Sequence, residues 1–269
     1  MSILNRFAAR AAGGLRAFAW LAAAFVAASC TIYTSARPDL REQSGTERRS
    51  ELAQIKARMA VQYMKQQDFR GALSASDEAV KADPGSDMAW MVRAYVRQEL
   101  GDLAQAEASY RRALGLKPGS AEINNNFGWF LCDGANRPAE SIGYFDRALS
   151  DPTYAQPHIA YMNKAVCQGR SGDLAGADDS FRKAETLSPN FAPIYRQKAD
   201  LYLENGDTGT ATQLFNKFQE MAPQMGPDDL YVGWKIANAR GDTQAAYDYE
   251  AQLRTRYPLS KAMKKILNP

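Results

Sequence analysis

Hydrophobic and polar positions follow three regimes along this chain. An unbroken apolar run, Ala17 to Ala28, comes first, and Arg6, Arg10 and Arg16 precede it in a stretch without acids. A polar, charged and aperiodic stretch, TIYTSARPDLREQSGTERRSEL at residues 31–52, follows. From residue 53 onward, small and large apolar residues recur at helical spacing, in pairs of segments closed by proline. Gly101-Asp102, Ala106, Tyr110, Ala113 and Pro118 form one such set. Gly172-Asp173, Ala177, Phe181, Ala184 and Pro189 repeat its internal spacing, and Gly206-Asp207, Ala211, Phe215, Phe218 and Pro223 form a third. The pattern predicts helical hairpins. Glycine supplies a positive φ at the turn, and proline ends the second helix. Ala94, Gly128, Ala165 and Ala199 let the two helices approach, while Tyr110, Phe145, Phe181 and Phe215 fill the gap to the next pair.

Pro84 and Pro118 stand 34 residues apart, as do Pro189 and Pro223. This is the length and pattern of the tetratricopeptide repeat. Phasing on the prolines predicts six repeats, at 53–86, 87–120, 121–157, 158–191, 192–226 and 227–260. The third is longer, with an altered loop from Cys132 to Pro138 and extra residues near Tyr154 to Pro157. Residues 261–269 are expected to cap the stack as a short helix. The expected fold is all-α: a right-handed superhelix of six helix-turn-helix repeats, in which stacking supplies the core that no repeat can form alone. Abundant Ala and sparse Val and Ile favour helix over sheet.

The N-terminal layout, positive then briefly apolar then small, is that of a secretory signal peptide. Its apolar run is shorter than the roughly 18 residues of a spanning helix, although an uncleaved anchor is the alternative. Val26-Ala27-Ala28-Ser29-Cys30 resembles a bacterial lipobox. The resemblance implies residues 1–29 as a cleaved signal and Cys30 as the lipidated residue. Residues 30–52 then read as a flexible tether. Several acyl chains, at about 0.8 kcal/mol per buried CH₂, anchor where one chain is marginal. Thr31 after the cysteine resembles the sorting pattern of outer-membrane lipoproteins, which implies the periplasmic face of the outer membrane.

The charge is balanced, with 33 Lys and Arg against 30 Asp and Glu, and the surplus lies in Arg6, Arg10 and Arg16. A neutral mature chain argues against a nucleic-acid partner. No HExxH, phosphate-binding glycine loop or GxSxG is present. His158, the single histidine, opens a predicted helix, and Asp178-Asp179 and Asp228-Asp229 fall near helix starts or on exposed faces. The expectation is a protein that is not an enzyme, with no cofactor, metal or small-molecule substrate.

The third repeat opens Asn124-Asn125-Asn126-Phe127-Gly128-Trp129-Phe130-Leu131-Cys132. This resembles the N-N-Y-G-x-F-L-C motif of the type IV pilus biogenesis and stability lipoproteins, PilF and PilW. Phe145 to Leu149, Asp151-Pro152, Pro157, Asn163 and Cys167 extend the match. Phe127 stands for the usual Tyr, Trp129 is at a variable position, and Gly134-Ala135-Asn136 replaces the usual turn. The resemblance implies a role in assembling or stabilising the outer-membrane secretin, with a secretin subunit or another pilus component as partner. An envelope adaptor for peptidoglycan enzymes and a member of an outer-membrane protein insertion complex are the alternatives.

With Cys30 assigned to the lipobox, Cys132 and Cys167 form an even pair in an oxidising compartment, and a disulfide is expected. Two buried free thiols are the alternative. The repeat phase places Val61, Met64, Met88, Met91, Tyr95, Asn125, Trp129, Ile159 and Met162 on the concave face, as an apolar partner-binding groove. Arg196 and Asp200 make its far end charged. The alternative is that some of these residues lie in the core between repeats. Asn126 and Asn163 read as structural asparagines, and Phe127, Gly128 and Leu131 as core.

Overall fold

The computed structural model describes residues 39–267, which are helical throughout apart from turns and loops. The helices are α1 (Asp39–Lys65), α2 (Phe69–Ala82), α3 (Asp87–Glu99), α4 (Leu103–Leu116) and α5 (Ala121–Trp129). A π-helical turn (Phe130–Gly134) extends α5. Then come α6 (Pro138–Leu149), α7 (Pro157–Arg170), α8 (Leu174–Leu187), α9 (Pro193–Glu204), α10 (Thr208–Met221), α11 (Pro227–Ala239), α12 (Thr243–Arg256) and α13 (Lys261–Leu267). The chain divides into two units, Met1–Arg49 and Ser50–Pro269. The larger is a stack of helical hairpins, an all-α tetratricopeptide fold. Each hairpin's odd-numbered helix is followed by its even-numbered partner, and α13 ends the stack.

In four of the hairpins the turn is built the same way. Gly101, Gly172, Gly206 and Gly241 have φ of 80, 92, 82 and 70°. An aspartate follows each glycine and caps the second helix: Asp102 accepts from the Gln105 N–H, Asp173 from Gly176, Asp207 from Thr210 and Asp242 from Ala245. A carboxylate there satisfies an orphan amide and meets the positive end of the helix dipole. In the first repeat Gln67, at φ 60°, takes the glycine's place ahead of Asp68.

The core is a relay rather than a single centre. Ala57 and Ala60 of α1, Ala72 and Ala75 of α2 and Val92 and Val96 of α3 form one cluster. Ala94, Tyr110, Phe127 and Phe130 carry it on to the third repeat. Phe181 with Ile194 and Leu201, then Phe215 and Phe218 with Val232 and Ile236, continue it. Leu230 and Leu253 close on Ala262 and Met263 of α13. Each cluster joins one hairpin to the first helix of the next, so stability is shared between neighbours. Small residues make the close approaches: a Cβ on Gly169 would meet Leu201 Cδ2 at 2.4 Å.

The third repeat departs from this plan. Its first helix widens into the π-helical turn, and Asn136 (φ 54°) makes the turn. The Arg137 N–H reaches back to the Leu131 carbonyl at 2.7 Å. Arg137 replaces the capping aspartate, and no side chain caps α6; Pro138 instead opens it with a preset φ. The widened turn carries Cys132, which is joined to Cys167 of α7 with Cα atoms 5.8 Å apart. Phe145, fully buried, packs with both cysteines.

One expectation is corrected. Residues 39–52, read as part of a flexible tether, belong to α1. Ala53, Ala57 and Ala60 are buried and hold the helix, which then propagates N-terminally through helix-forming Arg, Glu and Gln at little cost. The signal peptide at 1–29, Cys30, the start of the tether and the last two residues of the capping segment lie outside the described residues. Among the described residues, no helix is long and apolar enough to cross a membrane.

Candidate functional site

The first helices of successive hairpins line a cleft of about 560 Å³. Its apolar wall comes from Val61 of α1, Met91 and Tyr95 of α3, Trp129 of α5 and Ile159 of α7. Val61, Tyr95 and Trp129 are spaced by 34 residues, so they are one position of the repeat seen three times. Tyr95 is 40% exposed. Trp129 is half-buried and backs onto both the disulfide cluster and the cluster of the fourth repeat.

The remaining lining is rich in carboxamides: Gln98, Asn125, Asn126, Asn163 and Gln197. Asn163 donates through Nδ2 to Asn125 Oδ1 at 3.1 Å, across two repeats. Asn125 donates to Asn126 Oδ1 at 3.2 Å, and Asn126 donates to the Met91 sulfur at 3.3 Å. Tyr110 Oη donates to Gln98 Oε1 at 3.2 Å. Burial, helped by the charge of Glu99, pushes the Tyr110 and Tyr95 phenols above their ordinary range. Both therefore stay neutral, and among the described residues of the lining Lys65 and Glu99 are the charged ones.

Six of the nine residues expected on this face line the cleft: Val61, Met91, Tyr95, Asn125, Trp129 and Ile159. Three do not. Met162 is 7% exposed and belongs to the core of the fourth repeat, because Trp129 and Ile159 pack over the same cluster. Met64 packs against the core of the first hairpin. Met88 is exposed but sits in the first turn of α3, beyond the end of the cleft. Asn125 is 5% exposed and forms part of the polar floor rather than the apolar wall. Gln98, Asn126, Asn163 and Gln197 line the cleft without having been expected on this face from the repeat phase. A signal existed: Asn126 follows Val92 by 34 residues, and Gln197 follows Asn163 by 34.

Beyond the cleft the charged residues of the later repeats satisfy one another. Arg196 meets Asp229 at 2.9 Å, and Lys235 is bonded to Asp200. Asp229 also accepts from the Gly226 N–H at the start of α11. Tyr231 and Trp234 stack with centroids 5.7 Å apart. His158 packs edge-on against Phe191. Asp178 accepts from Tyr202, and Asp179 meets Arg182 and Lys183. Among the described residues, no group of three or more His, Cys, Asp or Glu is placed to hold a metal.

Family models of the tetratricopeptide repeat match residues 58–121 and 158–191. Proteins of this fold are typically non-catalytic scaffolds that bind other proteins. A crystal structure from Parabacteroides merdae, a tetratricopeptide repeat protein, shares the fold at TM-score 0.67 and 17% identity, over 80% of this chain and 82% of that one. The type IV pilus assembly protein PilF of Pseudomonas aeruginosa is 25% identical over 210 residues, 78% of this chain and 82% of the relative. The crystal structure of PilW, a type IV pilus biogenesis factor, superposes with TM-score 0.63 at 44% identity, over 80% of this chain and 98% of PilW. Identity of that order across nearly all of PilW, on the same helical stack, shows that this chain belongs to the PilF/PilW family of tetratricopeptide-repeat proteins of type IV pilus biogenesis.

Proposed function

We propose that this protein is a lipid-anchored outer-membrane protein facing the periplasm, and that its cleft binds a subunit of the pilus secretin and assists its assembly or stability. The observation that carries the reading is the continuous wall of Val61, Tyr95 and Trp129 across three repeats of a pilus-biogenesis family member. Part-exposed aromatic and methionine side chains in a concave site suit an adaptable hydrophobic partner. The lipobox-like run ending at Cys30 supports the anchor.

A strain lacking the protein is expected to lose twitching motility and secretin multimers. Complementation with Tyr95→Ala should restore neither, while its melting temperature stays near wild type. Cys30→Ala should move the protein to the soluble periplasmic fraction. Normal secretin multimers in the deletion strain would overturn the secretin reading, and a variant that stays membrane-bound after a salt wash would overturn the lipid anchor.

A further inference from the structure

We infer that a second partner surface lies on the second helices of the stack, where a groove between α2 and α4 and a row of cations beyond it receive an acidic segment of a protein. The groove shares no residue with the cleft, and the inference does not depend on what the cleft binds.

The groove encloses about 560 Å³. Asp77, Val80 and Lys81 of α2 form one wall, Gln105 and Arg112 of α4 the other, and Trp90 and Arg93 of α3 lie between them. Its shape is held from within. The Trp90 indole N–H donates to the Pro84 carbonyl at 2.9 Å. Arg93 donates through Nε to Asp77 Oδ1 at 2.7 Å and through Nη1 to Ser109 Oγ of α4 at 2.8 Å. It thus ties both walls and keeps Nη2 without a partner among the described residues. The described lining holds three cations, Lys81, Arg93 and Arg112, against one carboxylate. That carboxylate, Asp77, is already engaged by Arg93 and Arg97. Arg112 meets no carboxylate among the described residues.

Arg112 is also the first member of a row. It stands two residues after the buried Tyr110, and Arg147, Lys183 and Lys217 stand two residues after Phe145, Phe181 and Phe215. They are one position of the second helix in repeats two to five, and all four are exposed. The last three lean on the first helix of their own hairpin. Arg147 donates to Asn124 Oδ1 at 3.2 Å, and the ammonium groups of Lys183 and Lys217 lie 5.8 and 4.1 Å from the ring centres of Tyr161 and Tyr195. Among the described residues, Lys183 alone of the four has a carboxylate partner, Asp179. The row is bounded at both ends. Its position is Glu78 in the first repeat, paired with Lys56 at 2.7 Å, and Ala251 in the sixth.

Guanidinium groups held in place match carboxylates in two-point geometry. Trp90 and Val80 add an apolar contact between the cations. The segment that fits carries Asp or Glu on both sides of one aromatic or branched apolar residue. Second helices repeat at about one helix diameter, about 10 Å, which about three residues of extended chain cover. Carboxylates at that interval would follow the row. A bilayer surface fits less well, because the Arg93 side chain is only 18% exposed and is reached by a side chain entering the groove, not by a flat layer of headgroups.

The test follows fluorescence anisotropy of two labelled peptides added to the whole protein at low ionic strength. One carries glutamates on both sides of a central phenylalanine; the other has glutamine in place of every glutamate. The glutamate peptide should bind about tenfold tighter or more, and added salt should erase the difference. Arg112→Gln should weaken it several-fold, and Trp90→Leu should reduce the advantage of phenylalanine over alanine at the centre. Arg254→Gln, an exposed cation outside the row, and Tyr95→Ala, in the cleft, should leave it unchanged. Lys81→Gln gives the same readout as Arg112→Gln if that variant loses its fold. Equal binding of the two peptides, or equal weakening by Arg254→Gln, overturns the inference. Loss with Tyr95→Ala places the peptide in the cleft and overturns it too. Sedimentation with phosphatidylglycerol vesicles completes the test: vesicle binding that falls with Arg112→Gln, with no binding of the glutamate peptide, assigns the surface to the membrane instead.

Discussion

Lys261, at the start of the last helix, places its ammonium 2.7 Å from Glu99 Oε2 at the end of α3, although 162 residues separate them. The capping helix thus reaches the second repeat, at a carboxylate that also lines the cleft. Lys261 is largely exposed, so the pair is screened by solvent and contributes about 0–1 kcal/mol. A double-mutant cycle with Lys261→Met and Glu99→Gln should return a coupling in that range that shrinks at high salt. A coupling well above it would mean that the contact is part of the stability of the stack.

The Cys132–Cys167 bond joins cysteines 35 positions apart in sequence and ties the first helices of the third and fourth repeats. A loop of this size contributes about 4 kcal/mol on the chain-entropy account. The oxidised protein should show no free thiol at these two positions under denaturing, non-reducing conditions. Reduction should lower its denaturation midpoint, and Phe145 and Trp129, which pack on the bond, should show the change first in fluorescence or near-ultraviolet dichroism. Two titratable thiols here would remove the bond from the account.

Two glycines inside helices should respond oppositely to alanine. Gly169→Ala drives a methyl group into the fully buried Leu201 and should cost about 1–3 kcal/mol. Gly115, exposed in α4 with nothing within 4 Å of the new methyl, should gain about 0.5–1 kcal/mol from the same change. Urea denaturation of both variants checks the pair. Equal effects would mean that the close approach of α7 to α9 is not what the glycine serves.

Tyr202 donates to Asp178 Oδ1 at 2.9 Å. Burial first, then this hydrogen bond and the nearby carboxylates, pushes its phenol up to about 12. Because the folded value lies above the ordinary one near 10, the contribution is complete below about pH 10 and is lost as the pH rises towards 12. The stability difference between wild type and Tyr202→Phe should therefore be largest below pH 10 and shrink above it. A difference that stays flat up to pH 12 would show that the phenol titrates normally in the fold.

The 34-residue period, the Gly-Asp turns and the terminal prolines were legible in the sequence because each is a local device. A positive φ needs glycine, a capping carboxylate needs one residue before the helix, and proline ends a helix wherever it stands. Gln67 and Asn136 show the limit of that reading, since both take the left-handed turn position without glycine. Residues 39–52 show another: their polar composition reads as a tether, but a helix anchored at Ala53 and Ala57 extends through them.

Most of the cleft wall could also be placed from the repeat phase, since Val61, Tyr95 and Trp129 keep strict 34-residue spacing. The fate of Met162, the position of the carboxamides and the reach of Lys261 to Glu99 are decided only by tertiary structure. Met162 is buried because neighbours from two repeats cover it, and its own helix does not reveal that. The carboxamides line one cleft only because separate repeats set them side by side. The small rotation between one hairpin and the next, summed along the stack, decides which distant residues meet. No single repeat encodes that sum.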